Sequence, residues 1–277
     1  MCSRRVVILL STYNPRLDLL ISQISSLNRQ IYENILLVIR DDGSNEKSKA
    51  DIKNVLQEYY HREYRIMFGA NLGSILSFEK LLQDTPDGDL FMFCDQDDIW
   101  YENKVLTFVK KWTESGMVPL SLVFGDMTVT DSDENTLSES FWKMQGIERC
   151  SDYSAEGILA LNPITGCSMM FGSAVRNIYE PNKFMLQHDN YIGLLTLLKG
   201  GELIPLRRPT MSYVQHQENQ LGVVNYKWNV NLFKKTLLNR LIVYQFCKEY
   251  GLSYGKVSYK KIKLNICRFI SWNTLKV

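Results

Sequence analysis

Short apolar runs alternate with amphipathic segments along the first hundred residues. Val6 to Ser11 is an unbroken apolar run and reads as a buried strand. Thr12-Tyr13-Asn14-Pro15 breaks it, and Leu17, Leu20, Ile21, Ile24 and Leu27 then recur at helical spacing. Ile35 to Arg40 is a second strand, closed by the turn Asp41-Asp42-Gly43-Ser44. Ile52, Val55, Leu56 and Tyr59 mark a second helix, Arg65 to Phe68 a third strand, and Ile75 to Leu82 a third helix behind the loop Asn71-Leu72-Gly73-Ser74. A turn at Asp84 to Gly88 leads into the apolar run that starts at Leu90.

The rhythm continues less regularly. Leu122 to Asp126 is a strand, Thr165 to Met170 returns to the sheet, Tyr191 to Leu198 is an apolar helix, and Pro209 to Val214 is strand-like. Ser138 to Ile158 is polar and aromatic and reads as a mobile flap. Strands alternating with helices predict an α/β fold with a mostly parallel sheet flanked by helices, and ligands in such sheets sit beyond the carboxyl ends of the strands. Thr12, Asp41, Asn71 and Asp95 to Asp98 all follow strands, so they are candidates for one crevice.

The 277 residues, 45% of them hydrophobic, suffice for one large domain with a small appendage. A net charge of +2 argues against nucleic acid as partner, but it hides an asymmetry. From Tyr226 onward Lys227, Lys234, Lys235, Arg240, Lys248, Lys256, Lys260, Lys261, Lys263, Arg268 and Lys276 face a single acid, Glu249, among apolar residues spaced for amphipathic helices. That composition fits either a helical tail on an anionic membrane surface or helices packed on the main domain with a solvated basic face. The six cysteines lack paired spacing, which points to free thiols and a cytoplasmic setting, and no apolar run reaches the length of a membrane span.

The chemistry concentrates at Leu90-Phe91-Met92-Phe93-Cys94-Asp95-Gln96-Asp97-Asp98-Ile99-Trp100, where an apolar strand ends in three carboxylates within four positions. Such acids repel one another at neutral pH, and a hard divalent cation, Mg2+ or Mn2+, is the economical reason for placing them together. The bland alternative is an acidic turn capping the next helix. No Gly-x-Gly-x-x-Gly or P-loop motif occurs, so dinucleotide and P-loop readings lose their main support.

Across residues 4 to 222 the chain resembles the family-2 inverting glycosyltransferases of GT-A fold, in particular the bacterial rhamnosyltransferase-like branch. The resemblance rests on Ser11-Thr12-Tyr13-Asn14, Arg40-Asp41-Asp42-Gly43-Ser44, Asn71-Leu72-Gly73-Ser74, Cys94 to Trp100, Thr165-Gly166-Cys167, His188-Asp189, and Gln215-His216 with Asn219. It implies a Rossmann-like sheet in residues 1–225, with a nucleotide-sugar-binding half at 1–100, an acceptor-binding half at 101–225, and the basic helical tail at 226–277. Thr12 and Tyr13 would line the base, Asp41 would accept from a pyrimidine N3–H, and Asn71 and Gly73 would border the nucleoside. Asp95-Gln96-Asp97 would be the Asp-x-Asp element, with Asp95 and Gln96 toward the donor and Asp97 on the metal, joined there by His216.

Asp189 would be the catalytic base, although read alone it would be the cap of the following helix. His188 would stand behind the site, and Asp98 would cap a helix starting near Ile99. Asp126 would border the acceptor, with Asp131 and Asp133 as scaffold. His61 would be an exposed residue of a polar helical segment. Asn190 and Val214 stand where this branch usually has an aromatic residue and an arginine. The implied reaction is transfer from a dTDP- or UDP-sugar, dTDP-rhamnose leading, to a hydroxyl of a surface polysaccharide or lipid-linked saccharide, at the inner face of the plasma membrane. Two rival classes use the same residues: a non-catalytic nucleotide-binding scaffold, and a metal-dependent nucleotidyltransferase or phosphohydrolase.

Overall fold

The computed structural model describes residues 4–148, 152–184, 186–216, 241–258 and 261. The first part is β1 (Val6–Thr12), α1 (Leu17–Asn28), β2 (Ile35–Asp41), α2 (Glu46–Tyr59), β3 (Tyr64–Phe68), α3 (Ser74–Asp84) and β4 (Leu90–Cys94). Then come β5 (Ile99–Trp100), α4 (Lys104–Glu114), β6 (Ser121–Asp131), β7 (Thr136–Ser138), α5 (Phe141–Met144) and α6 (Ala155–Ala160). A 3-10 turn (Gly166–Ser168), β8 (Met169–Gly172), α7 (Ser173–Asn177), α8 (His188–Leu198) and β9 (Glu202–Gln215) follow, and residues 241–249 and 254–258 are helical.

The strands form one sheet in the order β3-β2-β1-β4-β8-β6-β9-β5, with β7 beside β6. β1 lies parallel to both β2 and β4, so the chain winds one way through β2 and β3 and then crosses to the other side of β1. That reversal opens a crevice between the carboxyl ends of β1 and β4. β8 runs antiparallel to β4 and β6, and β9 returns parallel to β6, bringing the end of β9 to the same region as β5.

Helices on both faces explain why the early strands are apolar without alternation. Ile8, Leu10, Leu37, Ile39 and Met92 pack with Leu20 and Ile24 of α1 and Ile52 and Leu56 of α2. Val7, Leu9, Val38, Phe91 and Phe93 pack on the opposite face with Phe78 and Leu81 of α3 and Ile192 of α8. A third cluster joins Ile158, Tyr191 and Leu194 to Phe246, Cys247 and Val257 of the tail. The described stretch 241–258 thus packs on α8, while Leu241 and Tyr244 stay exposed. The basic positions 227, 234, 235, 240, 260, 263, 268 and 276 lie outside the described residues. Among the described residues no helix is long and apolar enough to cross a membrane.

Several expectations change. Ile99 does not begin a helix: Ile99 and Trp100 pair antiparallel with Ser212 and Met211, and α4 begins at Lys104. The apolar side chains that looked like the start of a helical stripe are held instead by a late strand far away in sequence. His61 is exposed but lies beyond the end of α2. The segment 138–158 carries α5 and α6, and it is anchored by the buried Trp142, whose indole N–H donates to Pro163 O at 3.1 Å.

Candidate active site

The two lips of the crevice are tied together by Gln96. Its side-chain oxygen accepts from Tyr13 N at 2.8 Å and its amide donates to Tyr13 O at 3.3 Å, so the end of β4 grips the end of β1. Thr12 is buried and donates to Asp41 at 3.4 Å. Asp41 is itself fully buried; Oδ1 accepts from Ser44 N at 3.0 Å, while Oδ2 accepts from the Ser44 hydroxyl. Oδ1 therefore keeps one lone pair for a further donor.

Asp42 is a hub rather than a simple turn residue. It is paired with the buried Arg40 and accepts from Leu72 N at 3.0 Å and Gly73 N at 2.8 Å. Arg40 also donates to Ser77 Oγ at 3.0 Å and Ala70 O at 2.9 Å. The pair thereby fixes the Asn71–Gly73 loop beside the turn after β2. Gly43 makes this fit possible, because a Cβ there would lie 2.5 Å from Asn71 N.

At the acid cluster, Asp97 Oδ2 lies 2.8 Å from His216 Nε2, which brings together residues 119 positions apart. Asp98 is not a helix cap. It is fully buried, accepts from Val214 N at 3.3 Å, and so clamps the end of β9 under the crevice. Burial and the neighbouring Asp97 and Asp95 push its carboxyl well above the usual range. Asp95 is raised too, by burial first and then by the charges of Asp97 and Asp189. Asp189 therefore stands close enough to the Asp-x-Asp element for its charge to be felt there.

The base candidate sits in the first turn of α8, whose N-cap is Gln187, so Asp189 does not cap the helix. Its carboxylate accepts from Gly166 N at 3.2 Å and from Asn190 N. Burial pushes its pKa up to about 6, against the ordinary 3.8, while those backbone N–H groups pull it down. His188 is buried beside it, stacked on Phe78 and edge-on to Phe93, with no hydrogen-bond partner on either ring nitrogen among the described residues. Burial lowers it to about 3, so the ring is neutral. Gly166 leaves room for that ring, since a Cβ would meet His188 Nε2 at 2.5 Å. Asp126, expected to border the acceptor, accepts from Ser140 Oγ and from Trp142 N at 3.0 Å and holds the start of α5. Asn219 lies outside the described residues.

Lys104 is the residue that sequence reasoning missed. Its side chain is fully buried, donates to Cys167 O at 2.5 Å, and places its ammonium 3.7 Å over the Trp100 ring. Burial lowers its pKa, and the charges of Asp98 and Asp95 oppose that fall. The sequence did carry a signal, because Lys104 stands in line with Phe108 and Trp112 at four-residue spacing on the buried stripe of α4.

One internal cation beside Asp95, Asp97 and Asp98 leaves an excess of negative charge, and carboxylate oxygens with one imidazole suit Mn2+ or Mg2+. The donor set fits such an ion. Two groupings compete for it. Asp95, Asp98 and the Cys167 sulfur gather within 4.8 Å, but burial raises the Cys167 thiol, and a neutral thiol is a poor ligand for a hard cation. Asp98 is also sunk beneath β9. Asp97 and His216, with Asp95 beside them, are the better holders.

Comparison with known proteins places the chain in a family and supports the fold. Residues 7–178 match the model of glycosyl transferase family 2. An uncharacterized glycosyltransferase of Nostoc sp. is 27% identical over 136 residues, a match covering 49% of this chain and 40% of that protein. Among solved structures, Staphylococcus aureus TarS 1–349 in complex with UDP-GlcNAc superposes with a TM-score of 0.64 at 12% identity, covering 96% of this chain and 72% of that one. The mannosyltransferase PcManGT from Pyrobaculum calidifontis, in complex with GDP-Man and Mn2+, gives 0.59 at 14% identity, covering 78% and 58%. The chain belongs to glycosyl transferase family 2.

Proposed function

We propose that the protein is an inverting, metal-dependent glycosyltransferase that moves a sugar from a pyrimidine nucleoside diphosphate donor to an acceptor hydroxyl. The observation that carries this reading is the meeting of Asp97 and His216 at 2.8 Å beside the Asp95 carboxylate, which Asp189 perturbs. Asp95, Asp97 and His216 would hold Mn2+ or Mg2+. When bound, that ion supplies Lewis-acid stabilisation of the departing diphosphate.

The remaining chemistry belongs to the chain. Thr12, Tyr13, Asn71 and Gly73 border the nucleoside, and Asp41 offers its remaining Oδ1 lone pair to a ring N–H. Gln96, bonded to both polar groups of the Tyr13 backbone, sets the width of the crevice. Asp189 takes the proton of the attacking hydroxyl on the side opposite the leaving group. Its raised pKa suits it to that role better than an exposed carboxylate. The donor is a dTDP- or UDP-sugar, with dTDP-rhamnose the first to try. The acceptor is a saccharide of a surface polysaccharide or its lipid-linked precursor, which accords with the amphipathic basic tail.

The test is binding and slow hydrolysis of dTDP-, UDP- and GDP-sugars with and without Mn2+. A pyrimidine donor should bind only with metal and release its whole nucleoside diphosphate. Asp97→Ala should abolish both, and Asp189→Ala should abolish transfer while leaving donor binding intact. Cleavage to a nucleoside monophosphate would assign the site to attack at phosphorus instead. Binding without any dependence of turnover on Asp189 would leave a nucleotide-binding scaffold.

A further inference from the structure

A second charged site lies between α4 and β9. Along β9 the register with β6 slips, since Leu206 pairs with Gly125 and Pro209 with Asp126, so Arg207 and Arg208 have no partner on β6. A bulge of this kind re-aims side chains off the ladder. Here Arg208, bonded to Thr107, turns its guanidinium to a cavity of about 600 Å3 that Lys110, Lys111 and Glu114 also line, while the Arg207 guanidinium turns toward Glu148 and Tyr153. Pro205 and Leu206 line the same cavity and add an apolar surface.

The two arginines are held but not neutralised. Arg208 donates to Thr107 Oγ1 at 3.1 Å, and Arg207 donates to Glu148 O and Tyr153 OH at 3.3 Å, all uncharged acceptors. Among the described residues none of Lys110, Lys111, Arg207 and Arg208 has an acid within ion-pair reach, whereas Arg5, Arg176 and Lys199 elsewhere are paired at 2.7–3.5 Å. Glu114 is the one acid lining the cavity. The fixed, unpaired Arg208 guanidinium beside two ammonium groups matches the geometry and charge of a phosphate group.

The cavity is separate from the acid cluster. Lys110 stands roughly 9 Å beyond Lys104 along the axis of α4. Arg208 precedes His216 by roughly 25 Å along an extended strand. We infer that this groove is an anion site for an organic phosphate, a mono- or diester whose phosphate lies between Arg208 and Lys110–Lys111 while its uncharged body rests on Pro205 and Leu206.

Titration calorimetry of the full chain with pyrophosphate, in EDTA, tests this, because the carboxylate crevice repels a diphosphate when no metal is present. Pyrophosphate should bind in a salt-sensitive manner. Arg208→Gln, and Lys110→Gln with Lys111→Gln, should each weaken binding at least tenfold at unchanged melting temperature. Arg208→Lys keeps the charge and loses the fork, and should cost several-fold. Asp97→Asn, and the surface control Lys53→Gln with Lys143→Gln, should change nothing. Equal weakening by either of these, or no weakening by the groove variants, overturns the assignment. Phosphatidylglycerol vesicles separate the sources of phosphate. Vesicle binding that pyrophosphate displaces identifies a lipid headgroup as the ligand, and vesicle binding that pyrophosphate leaves untouched overturns the groove in favour of a flat membrane contact.

Discussion

Burial holds Asp189 against ionisation, with a pKa of about 6 where 3.8 is ordinary, and that shift ties basicity to stability. Above pH 6 the folded state carries a charge that it solvates less well than the unfolded chain does. The cost is fully present there, shrinks as pH falls from 6, and is gone below 3.8. Asp189→Asn removes it, so urea unfolding at pH 8 should show a gain on the order of 2 kcal/mol. The same variant should lower sugar transfer about 10²–10⁴-fold and abolish the rise in rate through pH 6 that the wild type shows. A variant that loses stability together with activity would mean that the carboxylate only braces Gly166. Lys104 makes the opposite case. Lys104→Met keeps much of the volume but leaves Asp95 and Asp98 without their internal cation. Removing one member of a buried charge set costs about 3 kcal/mol or more, which a denaturant midpoint would register at once. No loss at neutral pH would show that the acids are neutral without it.

At the scale of elements, the crevice depends on two glycines with different strains. Gly43 has φ +83° and no room for a Cβ, which would fall 2.5 Å from Asn71 N. Gly73, at φ 82° and ψ 159°, has open space but a backbone conformation that other residues resist. Gly73→Ala should therefore cost about 1–3 kcal/mol of stability, and Gly43→Ala more than that, with donor binding impaired further because the displaced backbone carries Asn71. Equal losses in a melting comparison would show that strain alone governs both sites. The same elements explain what could be read in advance. β1, β2 and β4 and the helices between them were legible because each of these strands is built on a buried apolar run and each helix carries its own periodic stripe. Ile99–Trp100 was misread because its partner is β9, and a two-residue strand has no period of its own. The residue types of the acid cluster, Asp189 and His216 were visible through their motifs. The Arg40–Asp42 hub was not, because the Leu72 and Gly73 N–H groups it holds lie about thirty residues on, and the α4 stripe marks Lys104 as buried without showing the acids it faces.

Over the whole molecule, two neighbours, His188 and Asp189, act on acid stability with opposite sign. His188 has a pKa of about 3 in the fold against 6.5 when exposed. Above pH 6.5 both states hold a neutral ring and His188 adds no pH dependence. Below it the unfolded chain takes up a proton that the folded chain refuses, so stability falls by about 1.4 kcal/mol per pH unit until pH approaches 3. Asp189 runs the other way between pH 6 and 3.8, where the folded carboxyl takes up the proton first. The two slopes oppose each other over most of that window, which makes the wild-type profile there flatter than either group alone would give. Asp189→Asn removes one of the opposing slopes, so the variant's stability should decline relative to that of the wild type as pH falls from 6 to 3.8. Adding His188→Asn should remove the decline and lower the entire curve, because the stacking on Phe78 and the edge contact with Phe93 are lost. Urea unfolding at half-unit pH steps reads all three profiles. Parallel profiles for wild type and Asp189→Asn between pH 6 and 4 would mean that Asp189 is ionised in the fold throughout, and its place as a raised-pKa base would fall with it.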